Sequence, residues 1–176
     1  VLSSILDADC AQMVQQHLET NGIQFMLSDT VDHFEGNSAV MKSSSRIDFD
    51  VLVVAVGVRA NTSLVKEMGG DVNRGMIVNE RMQTSVDQIY AAGDCTEGED
   101  ISCGKKRVLA LMPNAYMQGK CAGINMAGGD SVFDKAIPMN AIGFFGLHIM
   151  TAGSYFGKEE GGTCYETRSE GKLKRL

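Results

Sequence analysis

The chain has 176 residues, of which 44% are hydrophobic and 22% charged, a balance typical of a globular protein rather than a disordered one. Its 16 Lys and Arg stand against 22 Asp and Glu, and the net charge of -6 argues against broad binding to nucleic acid or to anionic membranes. The longest apolar run, residues 51–56, is strand-sized and too short to span a membrane. Five cysteines without a C-x-x-C pair indicate free thiols in a reducing, cytoplasmic compartment.

The first 60 residues predict one helix followed by extended segments. Asp7 is a suitable N-cap for a helix over residues 8–19, and Gly22 suits a left-handed stop. A strand is predicted at residues 23–27. Three further strands separated by turn-like residues predict a β-meander, at residues 30–34, 38–42 and 46–49. The continuous apolar run at residues 50–57 then predicts a strand buried on both faces, as in a parallel sheet.

The remaining residues alternate between strands and helices. A short helix is predicted at residues 63–68, and Pro113 suits the first turn of a longer helix that runs to about residue 127. Strands are predicted at residues 76–78 and 89–92, and a hairpin at residues 164–168 and 172–176. The stretch 97–106 is charged and contains glycine, so we expect a solvated acidic loop there.

The most informative stretch is residues 84–94, with the sequence TSVDQIYAAGD. Its apolar strand ends at Gly93 and at a carboxylate, Asp94. Small residues at the end of a buried strand let a ligand approach the backbone, and ligands of open α/β sheets sit at the carboxyl ends of strands. Asp94 is therefore a candidate acceptor for sugar or ribityl hydroxyl groups. A bare A-G-D would equally fit an ordinary strand that ends in a turn.

Two other segments have a possible bearing on ligand binding. In residues 50–61, DVLVVAVGVRAN, the predicted buried strand ends at Gly57, and the same pattern fits a core strand with a turn glycine. The helix that starts near Pro113 carries mostly small residues on one face, so it could pack closely on a sheet or a cofactor. Its N-terminus offers unpaired N–H groups and a partial positive charge, although an ordinary packing helix has the same features.

Taken together, the three segments resemble the FAD-dependent pyridine nucleotide-disulfide oxidoreductase family. TSVDQIYAAGD resembles the second FAD-binding motif of these reductases, and residues 114–119 resemble their A-x-x-Q-G stretch. Residues 50–61 resemble the strand by which the NAD(P)H domain returns the chain to the FAD domain. The resemblance covers roughly residues 6–152. It points to the branch of NADH oxidases, coenzyme A-disulfide reductases and rubredoxin reductases, or to the flavoprotein part of nitrite reductases.

The resemblance implies seven cofactor-binding residues and no catalytic or metal-ligating residue within the chain. The seven are Gly93 and Asp94 at the ribityl chain of FAD, Leu111, Met112 and Pro113 near the isoalloxazine ring, and Gly57 and Val58 on the nicotinamide side.

The fold implied is α/β, a partial FAD/NAD(P)-binding three-layer fold with a parallel sheet, a β-meander and helices. Residues 1–60 would be the C-terminal part of the NAD(P)H-binding domain, and residues 61–128 the C-terminal part of the FAD-binding domain. Residues 129–176 would begin the C-terminal interface domain, through which a homodimer would form. The expected ligands are dinucleotide cofactors, with no nucleic-acid or membrane partner.

The function implied is that of a parent enzyme with a role in cell redox homeostasis. It would pass hydride from NAD(P)H to FAD and electrons on to a disulfide, oxygen or a carrier protein. The chain contains neither of the G-x-G-x-x-G loops that the two dinucleotides require, so we expect an internal fragment that is inactive alone.

Two other interpretations stay open. The chain could be a non-catalytic binding or assembly module built on a remnant of this fold, in which exposed apolar surface drives association. It could also be a thiol-based redox protein that uses Cys95 and Cys103, although their spacing favours inert free thiols.

Overall fold

The computed structural model describes residues 1–154 and 161–176. The helices within these residues are α1 (Ala8–Thr20), α2 (Ser63–Glu67) and α3 (Met112–Met126). The strands are β1 (Val31–Glu35), β2 (Ser38–Met41), β3 (Arg46–Asp48), β4 (Met76–Ile77), β5 (Thr96–Asp100), β6 (Lys105–Arg107), β7 (Met139–Phe144), β8 (Leu147–Ala152), β9 (Glu166–Ser169) and β10 (Lys172–Arg175). None of the helices in this part of the chain has the length and apolar character needed to cross a bilayer.

Helix α1 begins and ends where local signals predict. The Asp7 carboxylate accepts a hydrogen bond of 2.9 Å from the backbone N–H of Cys10, which satisfies one of the unpaired donors of the first turn. Val14 and Leu18 lie one turn apart on the buried face. Gly22, at φ +87°, then turns the chain out of the helix.

The predicted β-meander is present. Strands β1, β2 and β3 pair antiparallel in sequence order, and Ala39 and Met41 of β2 are buried. The strand predicted at residues 23–27 does not form. Its Phe25 side chain instead packs against the apolar cluster under α1, and no strand among the described residues pairs with its backbone.

The strand predicted at residues 50–57 is also wrong for this structure. The segment pairs with no strand among the described residues, and Val53 and Val56 are 80% and 91% exposed. An apolar run shows which residues would suit a buried strand. It becomes a strand only where neighbouring backbone supplies hydrogen bonds on its edges.

A small mixed sheet replaces the predicted acidic loop. Strands β4 and β5 are parallel, with Met76 opposite Thr96, whereas β5 and β6 form an antiparallel hairpin. The prediction of a solvated loop at residues 97–106 is therefore wrong. Among the described residues, β4 and β5 form the one parallel pair of a mixed α/β fold.

Two buried carboxylates, Glu97 and Asp100, stabilise this sheet through hydrogen bonds and an ion pair. Glu97 is buried and accepts hydrogen bonds from the Asn73 side chain and from the backbone N–H groups of Arg74 and Gly75, at 3.1 to 3.2 Å. Asp100 is fully buried, forms an ion pair with Arg107, and accepts bonds of 2.9 and 2.7 Å from the backbone and hydroxyl of Ser102. Buried charge is tolerated here because each carboxylate has its own donors.

Two apolar clusters form the core. One joins α3 to the residues that follow β4 and to the segment before Gly93, through Val78, Met82, Cys121 and Ala122. The other places α1 against the β7–β8 hairpin, where Leu6, Val14 and Leu18 meet Phe144, Leu147 and Ile149. The His17 Nε2 atom lies 3.0 Å from the Phe144 carbonyl oxygen, which links the end of α1 to the hairpin turn.

Gly75, which directly precedes β4, leaves no space for a side chain. A Cβ atom at Gly75 would lie 2.9 Å from both the carbonyl carbon of Thr96 and Cγ2 of Val108. We expect Gly75→Ala to lower the free energy of unfolding by about 1–3 kcal/mol, measured by urea denaturation. The control is Gly123→Ala in α3, where an added Cβ meets no atom within 4 Å. It should raise stability by roughly 0.5–1 kcal/mol, because alanine favours the helix over glycine. Equal effects of the two changes would contradict the packing described for Gly75.

Asp100 makes stability depend on pH in the acid range. Burial alone would raise the pKa of this carboxyl, but the Ser102 donors and Arg107 together hold it below its ordinary value. A folded-state pKa below the unfolded one stabilises the fold above the unfolded pKa, and that stability is lost as pH falls through the folded pKa. The stability gap between the wild type and Asp100→Asn should therefore be about 1–3 kcal/mol at neutral pH and should shrink below about pH 4.

Urea unfolding over a pH series tests this prediction. The matched control is Glu99→Gln, which changes the adjacent, exposed carboxylate of the same strand. Its difference from the wild type should stay within about 0.5 kcal/mol at every pH. A gap for Asp100→Asn that stays constant as the pH falls would show that its charge contributes nothing.

Candidate functional site

The Gly93–Asp94 turn is held in place by one amide side chain. Gln118 of α3 accepts a hydrogen bond of 2.8 Å from the backbone N–H of Gly93. The Thr96 hydroxyl lies 2.8 Å from the Gly93 carbonyl oxygen and 3.1 Å from Oε1 of Gln118. Gly93 itself adopts φ +90°, a left-handed conformation that favours glycine. The turn is thus fixed from the helix and from the first residue of β5.

The same turn lies beside the first turn of α3. A Cβ atom added to Gly93 would come within 3.8 Å of the Ala115 Cβ, and the Ala115 N–H donates to the Leu111 carbonyl at 2.9 Å. The predicted residues Gly93 and Asp94 are therefore close to the start of the helix at Leu111. The predicted strand at residues 89–92 is reduced to a single bridge between Gln83 and Tyr90. The strand is wrong, but the turn that it was expected to end in is present.

The N-terminus of α3 carries no side-chain cap. Leu111 is extended, with φ -136° and ψ 132°, and Pro113 lies in the first turn, where its missing N–H costs nothing. The backbone N–H group of Met112 finds no acceptor among the described residues. This end of the helix therefore offers a donor and a partial positive charge to an anionic or electron-rich group. Met112 is 85% exposed.

Asp94 is free to bind a ligand. Its side chain is exposed, and its carboxylate accepts no hydrogen bond from the residues that the structure describes. Glu97 and Asp100, which were expected in a solvated acidic loop, are instead buried and bonded within the sheet. Of the carboxylates near the turn, Asp94 thus combines exposure with an unused set of acceptor lone pairs.

A cavity of about 210 Å³ opens beside the start of α3. It is lined by Ser4, Ile5, Arg107, Val108, Leu109, Ala110, Leu111, Pro138 and Asn140. Its volume is below the roughly 300–1,000 Å³ typical of small-molecule sites, so it can take only part of a large cofactor. The predicted residue Leu111 contributes to it directly.

Gly57 and Val58 lie apart from this turn. Gly57 has φ +94°, and a Cβ atom built on it would meet no described atom within 4 Å. Val58 is 90% exposed. The structure therefore places Gly93 beside the first turn of α3, which contains Met112 and Pro113 and follows Leu111, and leaves Gly57 and Val58 on an open segment.

Gln118, Thr96 and Asn114 are the residues that the site predictions omitted. A signal for Gln118 existed, because a spacing of three residues places it on the same face of α3 as Ala115. Asn114 is fully buried and donates to the Ile137 carbonyl at 3.1 Å, which ties the helix start to the segment before β7. Thr96 is also buried, but its place directly before the predicted loop at residues 97–106 gave no sign of this.

The cysteines are free thiols, and Cys95 and Cys103 form no disulfide. The Cys95 thiol lies 3.5 Å from the Ala92 carbonyl oxygen and the Cys103 thiol 3.9 Å from that of Asp100. Across residues 1–154 and 161–176, no group of three or more His, Cys, Asp or Glu side chains is arranged to hold a metal ion.

Comparison with known proteins identifies relatives of this chain. Residues 1–119 match the pyridine nucleotide-disulphide oxidoreductase family. The chain is 41% identical over 137 residues to an NADH oxidase of Methanocaldococcus jannaschii, a match that covers 76% of this chain and 31% of the oxidase. The chain therefore spans about a third of the length of that curated relative.

Solved structures agree with the sequence match. An NAD-dependent persulfide reductase from A. fulgidus superposes with a TM-score of 0.85 at 30% identity, over 94% of this chain and 32% of the reductase. A FAD-dependent pyridine nucleotide-disulphide oxidoreductase from Desulfovibrio vulgaris superposes with a TM-score of 0.82 at 28% identity, over 94% of this chain and 44% of that protein. The resemblance noted in the sequence is confirmed, and the chain belongs to the pyridine nucleotide-disulphide oxidoreductase family.

Proposed function

We propose that the chain is part of a FAD-dependent NAD(P)H oxidoreductase and supplies one side of its FAD site. The observation that supports this most is the position of Asp94, an exposed carboxylate without a partner, beside the uncapped N-terminus of α3. A polyol chain needs hydrogen-bond acceptors, and an electron-rich ring edge needs donors. Asp94 meets the first requirement, and the nearby start of α3 meets the second.

The residues would share the work as follows. Asp94 accepts hydrogen bonds from ribityl hydroxyl groups, and Gly93 lets the ligand approach the backbone. The N–H group of Met112 faces the pyrimidine edge of the flavin, and Leu111 and Pro113 pack near the ring. FAD supplies the chemistry of accepting hydride and releasing electrons. The protein's part is to bind and orient it and to favour negative charge at that edge.

The parent enzyme would take hydride from NAD(P)H and pass electrons to a disulfide, oxygen or a carrier protein. Residues 1–60 would complete its NAD(P)H domain, with Gly57 and Val58 on the nicotinamide side. Residues 61–128 would complete its FAD domain. The chain alone would be inactive, because its sequence contains no G-x-G-x-x-G loop for either pyrophosphate.

Residues 129–176 would start an interface domain that forms a homodimer. The exposed Phe145 and Met150 of the β7–β8 hairpin support this, since large apolar side chains on one hairpin suit an interface. Five unpaired thiols support a reducing, cytoplasmic location and a role in cell redox homeostasis.

Removing the Asp94 carboxylate tests the flavin assignment. In the longer protein that contains this chain, Asp94→Ala should weaken FAD binding by roughly 10- to 150-fold, because a hydrogen bond to a charged group contributes about 1.5–3 kcal/mol. Flavin per protein after gel filtration, read from visible absorbance, measures the loss. Asp87→Ala removes an exposed carboxylate from the preceding turn and should leave the flavin content unchanged. Equal flavin retention in both variants would count against Asp94 as a ligand.

Gln118 tests whether the turn must be held for the site to work. Gln118→Leu removes the acceptor of the Gly93 N–H. Stability should fall by about 1–3 kcal/mol, and the Gly93 amide should exchange faster with deuterium. Flavin retention in the longer protein should fall with it. Gln16→Leu, at an exposed position of α1, is the matched control and should change stability by less than about 0.5 kcal/mol. Unchanged exchange at Gly93 would show that Gln118 does not fix the turn.

A further inference from the structure

The first turn of α1 and the β9–β10 hairpin contact each other through charged side chains. Arg175 of β10 forms an ion pair with Asp7, the N-cap of α1, and its Nη2 atom lies 3.3 Å from Oδ2 of Asp9. Arg168 of β9 reaches the same oxygen of Asp9 at 3.5 Å. These contacts join residues that are 159 to 168 positions apart, so they bring the last described strands onto the first helix.

Asp7 serves the helix and the hairpin with different oxygens. Its Oδ1 accepts from the Cys10 N–H at 2.9 Å, and its Oδ2 accepts from Arg175. A carboxylate accepts at both oxygens, so the cap and the ion pair coexist. Burial would raise the pKa of Asp7, but the Cys10 N–H and Arg175 outweigh it and hold that pKa below its ordinary value. The charge that Arg175 requires is therefore present.

The hairpin orients Arg175 toward α1. Arg175 lies opposite Glu166 in the strand register, and its Nε atom donates to Glu166 Oε2 at 3.0 Å. Arg168 and Arg175 together lower the pKa of Glu166 to about 2, so this carboxylate stays ionised. The planar guanidinium carries five donors and can serve carboxylates of two segments at once. With 26% of the Arg175 side chain and 32% of the Asp7 side chain exposed, water screens their pair less than it screens a fully exposed one.

Helix α1 is attached to the last part of the chain at both ends. At its C-terminal end, His17 Nε2 lies 3.0 Å from the Phe144 carbonyl oxygen, and Leu18 packs in the cluster that includes Leu147. Asp7 lies ten residues before His17, which is roughly 15 Å along the helix. The arginine contacts thus add a separate attachment at the N-terminal end. Two attachments this far apart prevent the helix from pivoting about either one.

We propose that the acidic first turn of α1 is a docking surface for the β9–β10 hairpin, and that Arg175 fixes the start of α1 to it. Ser4 and Ile5 precede this turn and line the cavity beside Leu111, so the docking also fixes one wall of that cavity. On the domain assignment proposed above, the surface would lock the NAD(P)H domain to the interface domain. The inference itself rests on contacts formed within the chain and not on the proposed flavin site.

A double-mutant cycle measured by urea unfolding of the 176-residue chain tests the docking. Asp7→Asn removes the charge but keeps a side chain that caps a helix about as well. Arg175→Gln also removes the Glu166 pair within the hairpin, and the cycle cancels that effect. The double variant should be less destabilised than the product of the two single effects, by at least roughly fivefold in the folding equilibrium constant. Single effects that simply multiply would overturn the docking.

Amide hydrogen exchange locates the effect. The double change Asp7→Asn with Asp9→Asn alters no hairpin residue, yet it should speed exchange at residues 166–175 by roughly tenfold. Exchange within α1 should change by no more than about fivefold, since asparagine still caps and only a dipole interaction is lost. Glu19→Gln is the matched control, because it removes a negative charge from the other end of α1 and should leave hairpin exchange unchanged.

Salt provides a second measurement on the same variants. Raising it from about 0.1 M to about 1 M shortens the Debye length from about 10 to about 3 Å. Hairpin exchange should then speed up more in the wild type than in the Asp7→Asn, Asp9→Asn variant. Hairpin exchange that this variant leaves unchanged, or that Glu19→Gln alters equally, overturns the proposal. Exchange that rises as much in α1 as in the hairpin also overturns it, because the carboxylates would then act on the helix alone.

Discussion

The hydrogen bond from the Gly93 backbone to Gln118 is the contact on which the candidate site depends. It joins a left-handed turn to α3, which is also attached to this part of the chain by the Asn125 amide on the Arg81 carbonyl and by small apolar contacts. Because Gln118 is buried, with 5% of its surface exposed, water cannot readily replace the missing acceptor if the bond is broken. Thr96 strengthens the junction by placing its hydroxyl between the Gly93 carbonyl and the Gln118 amide. The position of Asp94 beside the start of α3 follows from these contacts.

Buried carboxylates perform a second structural task next to the turn. Glu97 and Asp100 lie on β5, directly after the candidate ligand Asp94, and each is surrounded by donors. The three acidic side chains therefore have different roles although the sequence places them together. A carboxylate that already accepts several hydrogen bonds has little to offer a ligand, whereas an exposed one with none has its full capacity. The backbone around each carboxylate determines whether it is buried with donors or exposed and able to bind a ligand.

How much the sequence predicts depends on where the partners of each residue lie. Helix α1 was predictable because Asp7, Val14 and Gly22 act within a turn or two of the chain. The structure of residues 50–57 and 89–92 was not predictable in this way, because a strand forms only where a neighbouring strand supplies hydrogen-bond partners for its backbone. Glu97 and Asp100 were misread as solvated, since the donors of Glu97 lie more than 20 residues away and charge alone gives no sign of them. In the site, the motif in the sequence identified Gly93 and Asp94. The hydrogen bond from the Gly93 N–H to Gln118 became visible only in the structure, because it joins residues 25 positions apart.

Two parts of this chain are open for different physical reasons. Asp94 and the Met112 N–H at the start of α3 are polar groups in contact with water, so leaving them unbound costs little, and a ligand must offer matching hydroxyl and ring-edge groups to displace that water. Residues 51–56 expose apolar side chains along an unpaired backbone, a combination that water solvates poorly. Neighbouring strands of a parallel sheet would supply both the missing hydrogen bonds and the apolar contacts. The chain spans about a third of the length of its relative, so this exposure fits the proposal that residues 1–60 complete an NAD(P)H domain. Exposure at Asp94 therefore suits a ligand, whereas exposure at residues 51–56 suits further strands of the same domain.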